Sequence, residues 1–135
     1  MKKKNKIKRN SLYGKNCVLT GATGGIGKEI ALQLAEKNCN LFLIGQNEKK
    51  LKLLKQKLEK INSRIRINYN PTDLTNMDDI KLTIKKIQTE FSPVLILINC
   101  AGKFIIKPIS KSTLNDFDDL FTLNVKIPFI LTKTF

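Results

Sequence analysis

The chain has 135 residues, of which 41% are apolar, with only 7 glycines and 4 prolines, so its composition indicates a packed core in one domain or part of one. The formal net charge of +14 is typical of nucleic-acid binding, but 22 of the 25 basic residues are lysines spread along the chain beside 13 asparagines. An AT-rich coding sequence also produces an excess of lysine and asparagine. For this reason we expect no nucleic-acid partner. The sequence contains no histidine, which excludes an imidazole metal site, a serine-type triad and a histidine general base.

The start of the chain, "MKKKNKIKR", predicts a basic, flexible tail over residues 1–10, ahead of one domain over residues 11–135. No apolar stretch follows the tail, as a secretory signal would require, and the longest aliphatic run, Val94 to Ile98, is too short to span a bilayer. We therefore expect no membrane partner. Cys17, Cys39 and Cys100 are odd in number and lack CxxC spacing, which favours reduced, mostly buried thiols in a cytoplasmic protein without a metal site.

Apolar runs of strand length alternate with runs of helical period along the rest of the chain. Strands are predicted at 16–20, 40–45, 64–68 and 94–99. The helices between them have these apolar positions: Ile26, Ile30 and Leu34; then Leu51, Leu54, Leu58 and Ile61; then Met77, Ile80, Ile84, Ile87 and Phe91. The fourth strand is aliphatic throughout, as strands covered on both faces are. Four β units with helical crossovers predict an α/β fold with a Rossmann-type doubly wound parallel sheet.

A last helix is predicted from an N-cap at Thr113, with apolar positions at 117, 120, 121 and 125. Asn124 lies on the same stripe, so burial would oblige its side chain to find partners. Pro128 has no N–H for the Asn124 carbonyl, which predicts a kink; the alternative is a core asparagine on a bent helix. The pattern reaches Phe135 with no cap, turn or fifth strand after it, and we expect a domain that is incomplete at its C-terminus.

Four glycines, at positions 21, 24, 25 and 27, separate the first strand from the first helix. Such a loop lets the backbone approach a phosphate, and the helix N-terminus adds free N–H groups, so the loop is interpreted as an anion cradle. A tight turn without a ligand is the alternative. A triphosphate P-loop is excluded because Ala22 stands where that motif needs glycine and Glu29 where it needs serine or threonine.

The loop "TGATGGIG", Thr20 to Gly27, resembles the TGxxxGIG motif of the short-chain dehydrogenase/reductase family, and the resemblance extends from about Leu12 to the last residue. "DLT" at Asp73–Thr75, "NCAG" at Asn99–Gly102 and "LNV" at Leu123–Val125 follow at matching intervals. In "NCAG", Cys100 replaces the second asparagine of the family's NNAG.

The resemblance implies an NAD(P)-binding domain and a role for each matched residue. Asp73 would meet the adenine amino group, unless it forms an Asx turn or helix cap after Pro71. Asn99 would support the strand ends, and Asn124 would help to bind a water in a proton relay, as the one matched member of the catalytic set. The residues implied in cofactor binding are Gly21, Thr23, Gly25, Ile26, Gly27, Gln46, Asp73, Leu74, Asn99, Ala101 and Gly102.

The choice of cofactor depends on the end of the second strand, where an acid would bond the ribose hydroxyls and repel a 2′-phosphate. Gly45, Gln46 and Asn47 occupy this place, so NADP is not excluded, and Lys49 or Lys50 would be near a phosphate. The arginine common at the place of Gln46 in NADP-preferring relatives is missing. From charge alone we favour NADP(H) over NAD(H).

The catalytic tyrosine and lysine of the family, YxxxK, and its serine have no match. Tyr13 is followed four residues later by Cys17, and Tyr69 by Asp73. We therefore expect the chain to be a fragment of an oxidoreductase that acts on an alcohol or carbonyl substrate, and we expect the fragment to be inactive by itself. A homo-oligomer, formed through the last helix, is expected only for the full-length form. The alternatives are a natural short protein that binds a dinucleotide without chemistry, and a basic interaction module.

Overall fold

A computed structural model describes residues 12–135 of the chain; the predicted basic tail at 1–10 lies outside the described residues. The described part contains a four-stranded parallel sheet in the order β3-β2-β1-β4. The strands are β1 (Asn16–Thr20), β2 (Asn40–Gly45), β3 (Ile67–Pro71) and β4 (Ile96–Asn99). The helices are α1 (Gly25–Glu36), α2 (Glu48–Ile61), α3 (Met77–Glu90), α4 (Leu114–Phe121) and α5 (Ile127–Thr134), with a 3₁₀ turn at Ile109–Lys111 and a π-helical turn at Thr122–Lys126. The predicted fold class is confirmed.

The sheet is covered on its two faces by two separate apolar clusters, as in a doubly wound fold. Alternate residues of β2 enter different clusters because successive side chains of a strand lie on opposite faces. Leu41 and Leu43 pack with α1 and α2, whereas Phe42 and Ile44 pack with α3 and α5. The central strands β1 and β2 are therefore continuous apolar runs, and all four of these β2 side chains are fully buried.

The third strand lies three residues later than predicted. The alternating isoleucines at 65 and 67 suggested a start at 64, but β3 begins at Ile67, which is opposite Leu41 of β2. Pro71 forms its last position, opposite Gly45. A proline is tolerated there because β3 is an edge strand and Pro71 ends it. The register with β2 therefore sets the position of this strand more than its own hydrophobic pattern does.

The fourth strand begins two residues later than predicted, at 96 and not at 94, but both of its faces are covered: Ile96 and Ile98 pack against the cluster of α1 and α2, and Leu97 packs against the cluster of α3 and α5. β4 begins at Ile96, and its three aliphatic residues are only half-buried, because it pairs with β1 alone within residues 12–135. Two further apolar positions differ from the prediction: Ile26 is 73% exposed in the first turn of α1, and Ile61 at the end of α2 is also exposed.

The apolar stripe predicted on the last helix is exposed along much of its length. Phe117, Phe121 and Val125 all face solvent, and the two phenylalanine rings stack on each other at a centroid distance of 5.9 Å. Farther along, Ile127 and Leu131 of α5 are buried against the sheet. No helix within residues 12–135 is long and apolar enough to cross a membrane.

Candidate functional site

The glycine loop is fixed by two close backbone contacts. Gly21, directly after β1, has a φ of +64°, a conformation that favours glycine, and a Cβ there would lie 2.7 Å from the Ala101 nitrogen. A Cβ on Gly27 would lie 2.1 Å from the Gly21 carbonyl oxygen. By contrast, a Cβ on Gly25 would meet nothing within 4 Å. Gly21 and Gly27 therefore bring β1, α1 and the loop after β4 together at distances that no side chain permits.

Among the helices α1 to α4, only α1 begins without a side-chain cap. Its N-cap is Gly24, which has no side chain, whereas Asn47, Asn76 and Thr113 cap α2, α3 and α4 by accepting backbone N–H groups. The first-turn N–H groups of a helix have no intrahelical acceptor, and they carry the positive end of the helix dipole. This turn therefore has the chemistry of a phosphate site.

A cleft of about 550 Å³ lies beside this loop, at the carboxyl ends of the strands. Ligands of open parallel sheets bind at this edge, and the volume is within the range of small-molecule sites. The predicted residues that line the cleft are Gly21, Thr23, Gln46, Asp73, Leu74, Ala101 and Gly102. The predicted residues that do not line it are Gly25, Ile26, Gly27, Asn99 and Asn124. Gly25 and Ile26 are exposed, so their contribution would come from their main-chain N–H groups.

Asp73 follows β3 and forms an Asx turn, the alternative that the sequence left open. Its Oδ1 accepts from the Thr75 N–H at 2.9 Å, the Thr75 hydroxyl at 2.7 Å and Gln46 Nε2 at 3.3 Å. The Thr75 hydroxyl, more than any other group, holds the pKa of Asp73 below its ordinary value, because these donors favour the charged carboxylate. Oδ2 accepts no hydrogen bond from the described residues, so the turn leaves one carboxylate oxygen for a ligand N–H.

Thr20 was not predicted as a site residue, but it supports the site from below. Its buried hydroxyl accepts from the N–H groups of Cys100 and Ala101, both at 3.1 Å, and lies 3.4 Å from the Ile98 carbonyl oxygen, to which it donates. These bonds tie the end of β1 to the end of β4. Asn99 was predicted to support the strand ends, but its side chain is exposed and has no hydrogen bond within residues 12–135. A threonine that ends a buried strand must satisfy its hydroxyl, and that signal points to Thr20.

Asn124 lies where the last helix changes its winding, and the apolar stripe that it was predicted to share is itself exposed at Phe117 and Phe121. Asn124 lies in the π-helical turn, closed by the Ile127 N–H bonding to the Thr122 carbonyl, and it is exposed. Its Nδ2 donates to the Lys103 carbonyl at 2.7 Å, and its Oδ1 accepts from the Lys103 N–H at 3.1 Å. The predicted break is thus present as a π-helical turn. Asn124 binds both main-chain groups of one residue and fixes the loop after β4 to the helix.

Two ion pairs hold the same loop against α4. Lys103, which lines the cleft, donates from Nζ to Asp119 at 2.8 Å, and this bond raises the pKa of Lys103 above its ordinary value. Lys107 pairs with Asp116, which also accepts from the backbone and hydroxyl of Thr113 in a capping box. The bond from Lys107 is the main reason that the pKa of Asp116 falls to about 2. The loop is therefore held by charge as well as by Asn124.

The fold and the cleft together define a nucleotide-binding domain of the doubly wound α/β class. The sequence profile of the short chain dehydrogenase family matches residues 15–135. The chain therefore belongs to the short-chain dehydrogenase family.

Individual relatives agree with this assignment. An uncharacterized oxidoreductase of Staphylococcus aureus strain USA300 is 33% identical over 115 residues, which are 85% of this chain and 48% of the relative. A metagenomic short-chain oxidoreductase in complex with NADP has a TM-score of 0.83 and 25% identity, over 92% of this chain and 56% of its own. NAD⁺-bound xylitol dehydrogenase has a TM-score of 0.81 and 26% identity, over 92% of this chain and 47% of its own. The chain thus spans about half the length of the proteins that it matches.

Proposed function

We propose that this chain is the cofactor-binding part of an NAD(P)(H)-dependent oxidoreductase whose whole form transfers a hydride between the nicotinamide and an alcohol or carbonyl substrate. The observation that carries the proposal is the cleft of about 550 Å³ beside an uncapped helix N-terminus and two glycines that no other residue can replace without displacement. The structural relatives bound to NADP and to NAD⁺ support the class of cofactor.

The residues of the site fit the parts of such a dinucleotide. The main-chain N–H groups at Gly25, Ile26 and Gly27 would bind the pyrophosphate, and Asp73 Oδ2 would accept from the adenine amino group. Leu74 would border the adenine. Ala101 and Gly102, which are small and line the other end of the cleft, leave room for the nicotinamide ribose. The nicotinamide would supply or accept the hydride, while these residues would bind and orient it.

The cofactor favoured within this proposal is NADP(H) over NAD(H). No acid is present at the end of β2, where Gln46 and Asn47 line the cleft. The Gln46 amide donates to Asp73, so the nearest carboxylate is already engaged at Oδ1. Lys50 also lines the cleft and adds a positive charge. These observations remove the usual obstacle to a 2′-phosphate.

The 135 residues by themselves are proposed to bind the cofactor without turning over a substrate. Tyr13 is largely exposed before β1, and Tyr69 is a residue of β3 that packs against the cluster of α1 and α2. Neither tyrosine lines the cleft, and neither is followed by lysine at the required spacing. Asn124 remains the sole matched residue of the catalytic set. We propose a cytoplasmic protein without nucleic-acid or membrane partners, in line with its unpaired cysteines, and a homo-oligomer only for the full-length form, since the α4 stripe is exposed.

Titration of the purified chain with NADPH and NADH, followed by nicotinamide fluorescence, tests the proposal. Saturable binding of either dinucleotide supports it, whereas no binding at millimolar concentration of both refutes it. The second candidate, a dinucleotide-binding protein without chemistry, rests on the missing YxxxK. Both candidates predict that the 135 residues do not oxidise NAD(P)H in the presence of a panel of aldehydes and ketones, and turnover in this assay would contradict the proposed inactivity.

A further inference from the structure

Two buried threonines connect the end of β3 to α3. Thr72 follows β3 directly and lines the cleft. Thr83 does not line the cleft; it lies on the buried face of α3, between Ile80 and Ile87. The two hydroxyl oxygens are 2.8 Å apart, which is a hydrogen-bond distance, and each residue is 2% exposed. Burial of a hydroxyl on an otherwise apolar helix face is unfavourable unless the hydroxyl is bonded, so Thr83 depends on this contact with the end of β3.

Asn70, the fourth residue of β3, completes the network and sets its direction. Its Nδ2 donates to the hydroxyl oxygen of Thr83 at 2.9 Å and to that of Thr72 at 3.2 Å. Its Oδ1 accepts from Lys86 Nζ at 3.2 Å, and because an ammonium group can only donate, this bond fixes the orientation of the amide. The Thr72 hydroxyl donates to the Asn70 carbonyl oxygen at 3.3 Å, so the proton between the two threonines comes from Thr83.

The segment after β3 is held by β2 on one side and by α3 on the other. β3 is an edge strand of the described sheet, and its last residue, Pro71, has no N–H to donate. The Thr72 N–H donates to the Gly45 carbonyl of β2 at 2.9 Å. The Asp73 N–H donates to Asp79 Oδ2, in the first turn of α3, at 3.3 Å. The position of Asp73 in the cleft therefore depends on contacts with α3 as well as on the sheet.

We propose that Thr83 is a positioning residue for recognition of the adenine base: through Thr72, it holds Asp73 where Oδ2 accepts from the adenine amino group. The inference rests on the proposed function, since it takes the cleft as the dinucleotide site and Asp73 as the residue that meets the adenine. Hydrogen bonds weaken steeply as their distance and angle depart from the optimum, so a small displacement of Asp73 reduces this contact. The pyrophosphate would be bound by α1, which the displacement does not reach. Thr83 therefore acts on the recognition of the base and not on the affinity as a whole.

The experiment compares the affinities of the 135-residue chain for NADPH and for its hypoxanthine analogue, in which a carbonyl oxygen replaces the adenine amino group. Titration calorimetry of the unchanged chain is expected to give a preference for NADPH of about tenfold, the factor that corresponds to one hydrogen bond to a charged group. Thr83→Val keeps the shape of the side chain but removes the donor to Thr72. It is expected to reduce the preference to about threefold, the factor for a weak hydrogen bond, mainly by weakening NADPH. Thr83→Ser keeps the hydroxyl and is expected to restore most of the preference.

Thr89→Val is the matched control, because Thr89 is exposed on the same helix and its hydroxyl bonds to carbonyl oxygens of that helix. Its preference for NADPH is expected to equal that of the unchanged chain. Asp79→Ala is a second variant, which removes the acceptor of the Asp73 N–H and leaves the buried threonines in place. It is expected to lower the preference in the same direction, and it decides the question if circular dichroism shows that Thr83→Val is unfolded.

A double variant tests whether Thr83 acts through Asp73. Asp73→Asn alone is expected to remove most of the preference, because an amide can bond either an amino group or a carbonyl oxygen. Addition of Thr83→Val to Asp73→Asn is then expected to change the preference no further, since the effects of two residues on one contact do not add.

An unchanged preference in the folded variants, or an equal loss of affinity for both ligands in Thr83→Val, as a merely structural role would give, would overturn this inference while the proposed function stands. Equal affinities of the unchanged chain for the two ligands would also overturn it and leave the proposed function standing. Absence of binding to either dinucleotide would overturn both.

Discussion

Replacement of Gly27 by alanine tests whether the close approach of α1 to the glycine loop builds the cofactor site. The added Cβ would lie 2.1 Å from the Gly21 carbonyl oxygen, whereas a carbon and a carbonyl oxygen in ordinary contact are about 3.3 Å apart. The helix or the loop must therefore move by about 1.2 Å. Neither atom belongs to a flexible side chain, so the movement displaces backbone.

The expected consequences are a loss of stability and a larger loss of binding. Overpacking costs about 1–3 kcal/mol, and the preference of alanine over glycine in a helix returns about 1 kcal/mol, which leaves a net loss of up to about 2 kcal/mol. The displaced N–H groups of the first turn no longer converge on the pyrophosphate, and we expect dinucleotide affinity to fall at least about tenfold. Urea unfolding and NADPH titration measure the two effects.

Gly25→Ala is the matched control, since a Cβ there meets nothing within 4 Å and Gly25 is in the same turn. It is expected to keep the stability of the unchanged chain, since the added Cβ displaces no backbone. If Gly27→Ala binds NADPH as well as the unchanged chain does, the argument from the close backbone contact is refuted.

Three further predictions concern the supports of the site. Thr20→Val leaves the N–H groups of Cys100 and Ala101 without their acceptor and is expected to cost about 2–4 kcal/mol in urea unfolding, whereas Thr20→Ser keeps the hydroxyl and costs about 1 kcal/mol; equal losses would contradict this role. Asn124→Ala releases both main-chain groups of Lys103, so amide exchange in residues 103–113 is expected to accelerate and NADPH affinity to fall a few-fold, with Asn115→Ala, on the exposed side of α4, as the control. Because the folded-state pKa of Asp116 is lowered to about 2, its contribution to stability is complete above its unfolded pKa of about 3.9 and is lost as the pH falls toward 2. The stability difference between the unchanged chain and Asp116→Asn is therefore expected to shrink from pH 5 to pH 2, and a constant difference would refute this assignment.

The central sheet and its glycine loop could be predicted because their signals are local. Continuous apolar runs gave β1 and β2 their observed bounds, and the loop between them is recognised by its four glycines. The edge strands were harder. The bounds of β3 depend on its pairing with β2. The incomplete burial of β4 depends on the absence of a further strand on its outer side in the described region. Neither property could be predicted from the residues of the strand itself.

The candidate site divides in the same way. Gly21, Asp73 and Gly102 belong to motifs and line the cleft together, although their binding roles remain predictions. The hydroxyl of Thr20, by contrast, accepts hydrogen bonds from Cys100 and Ala101, which are 80 and 81 positions away along the chain. Pro128 predicted a break in the helix at Asn124, but the π-helical form of that break and the two hydrogen bonds to Lys103 could not be predicted from the local sequence. The observed site therefore differs from the predicted one in the contacts between residues that are distant in the sequence.

The pairing of β1 with β4 would couple ligand binding to folding, because this pairing brings together two parts of the chain that are far apart in sequence. Thr20 and Cys100 are 80 positions apart, and the chain between them forms α1, β2, α2, β3, α3 and β4. Bringing the ends of so long a segment together costs conformational entropy, and only the completed pairing of β1 with β4 offsets this cost. The cleft draws on both ends of this segment, so it exists only after closure. A dinucleotide would then select closed chains and stabilise them in proportion to the logarithm of its concentration. The unfolding temperature of this chain would thus rise with the concentration of the dinucleotide.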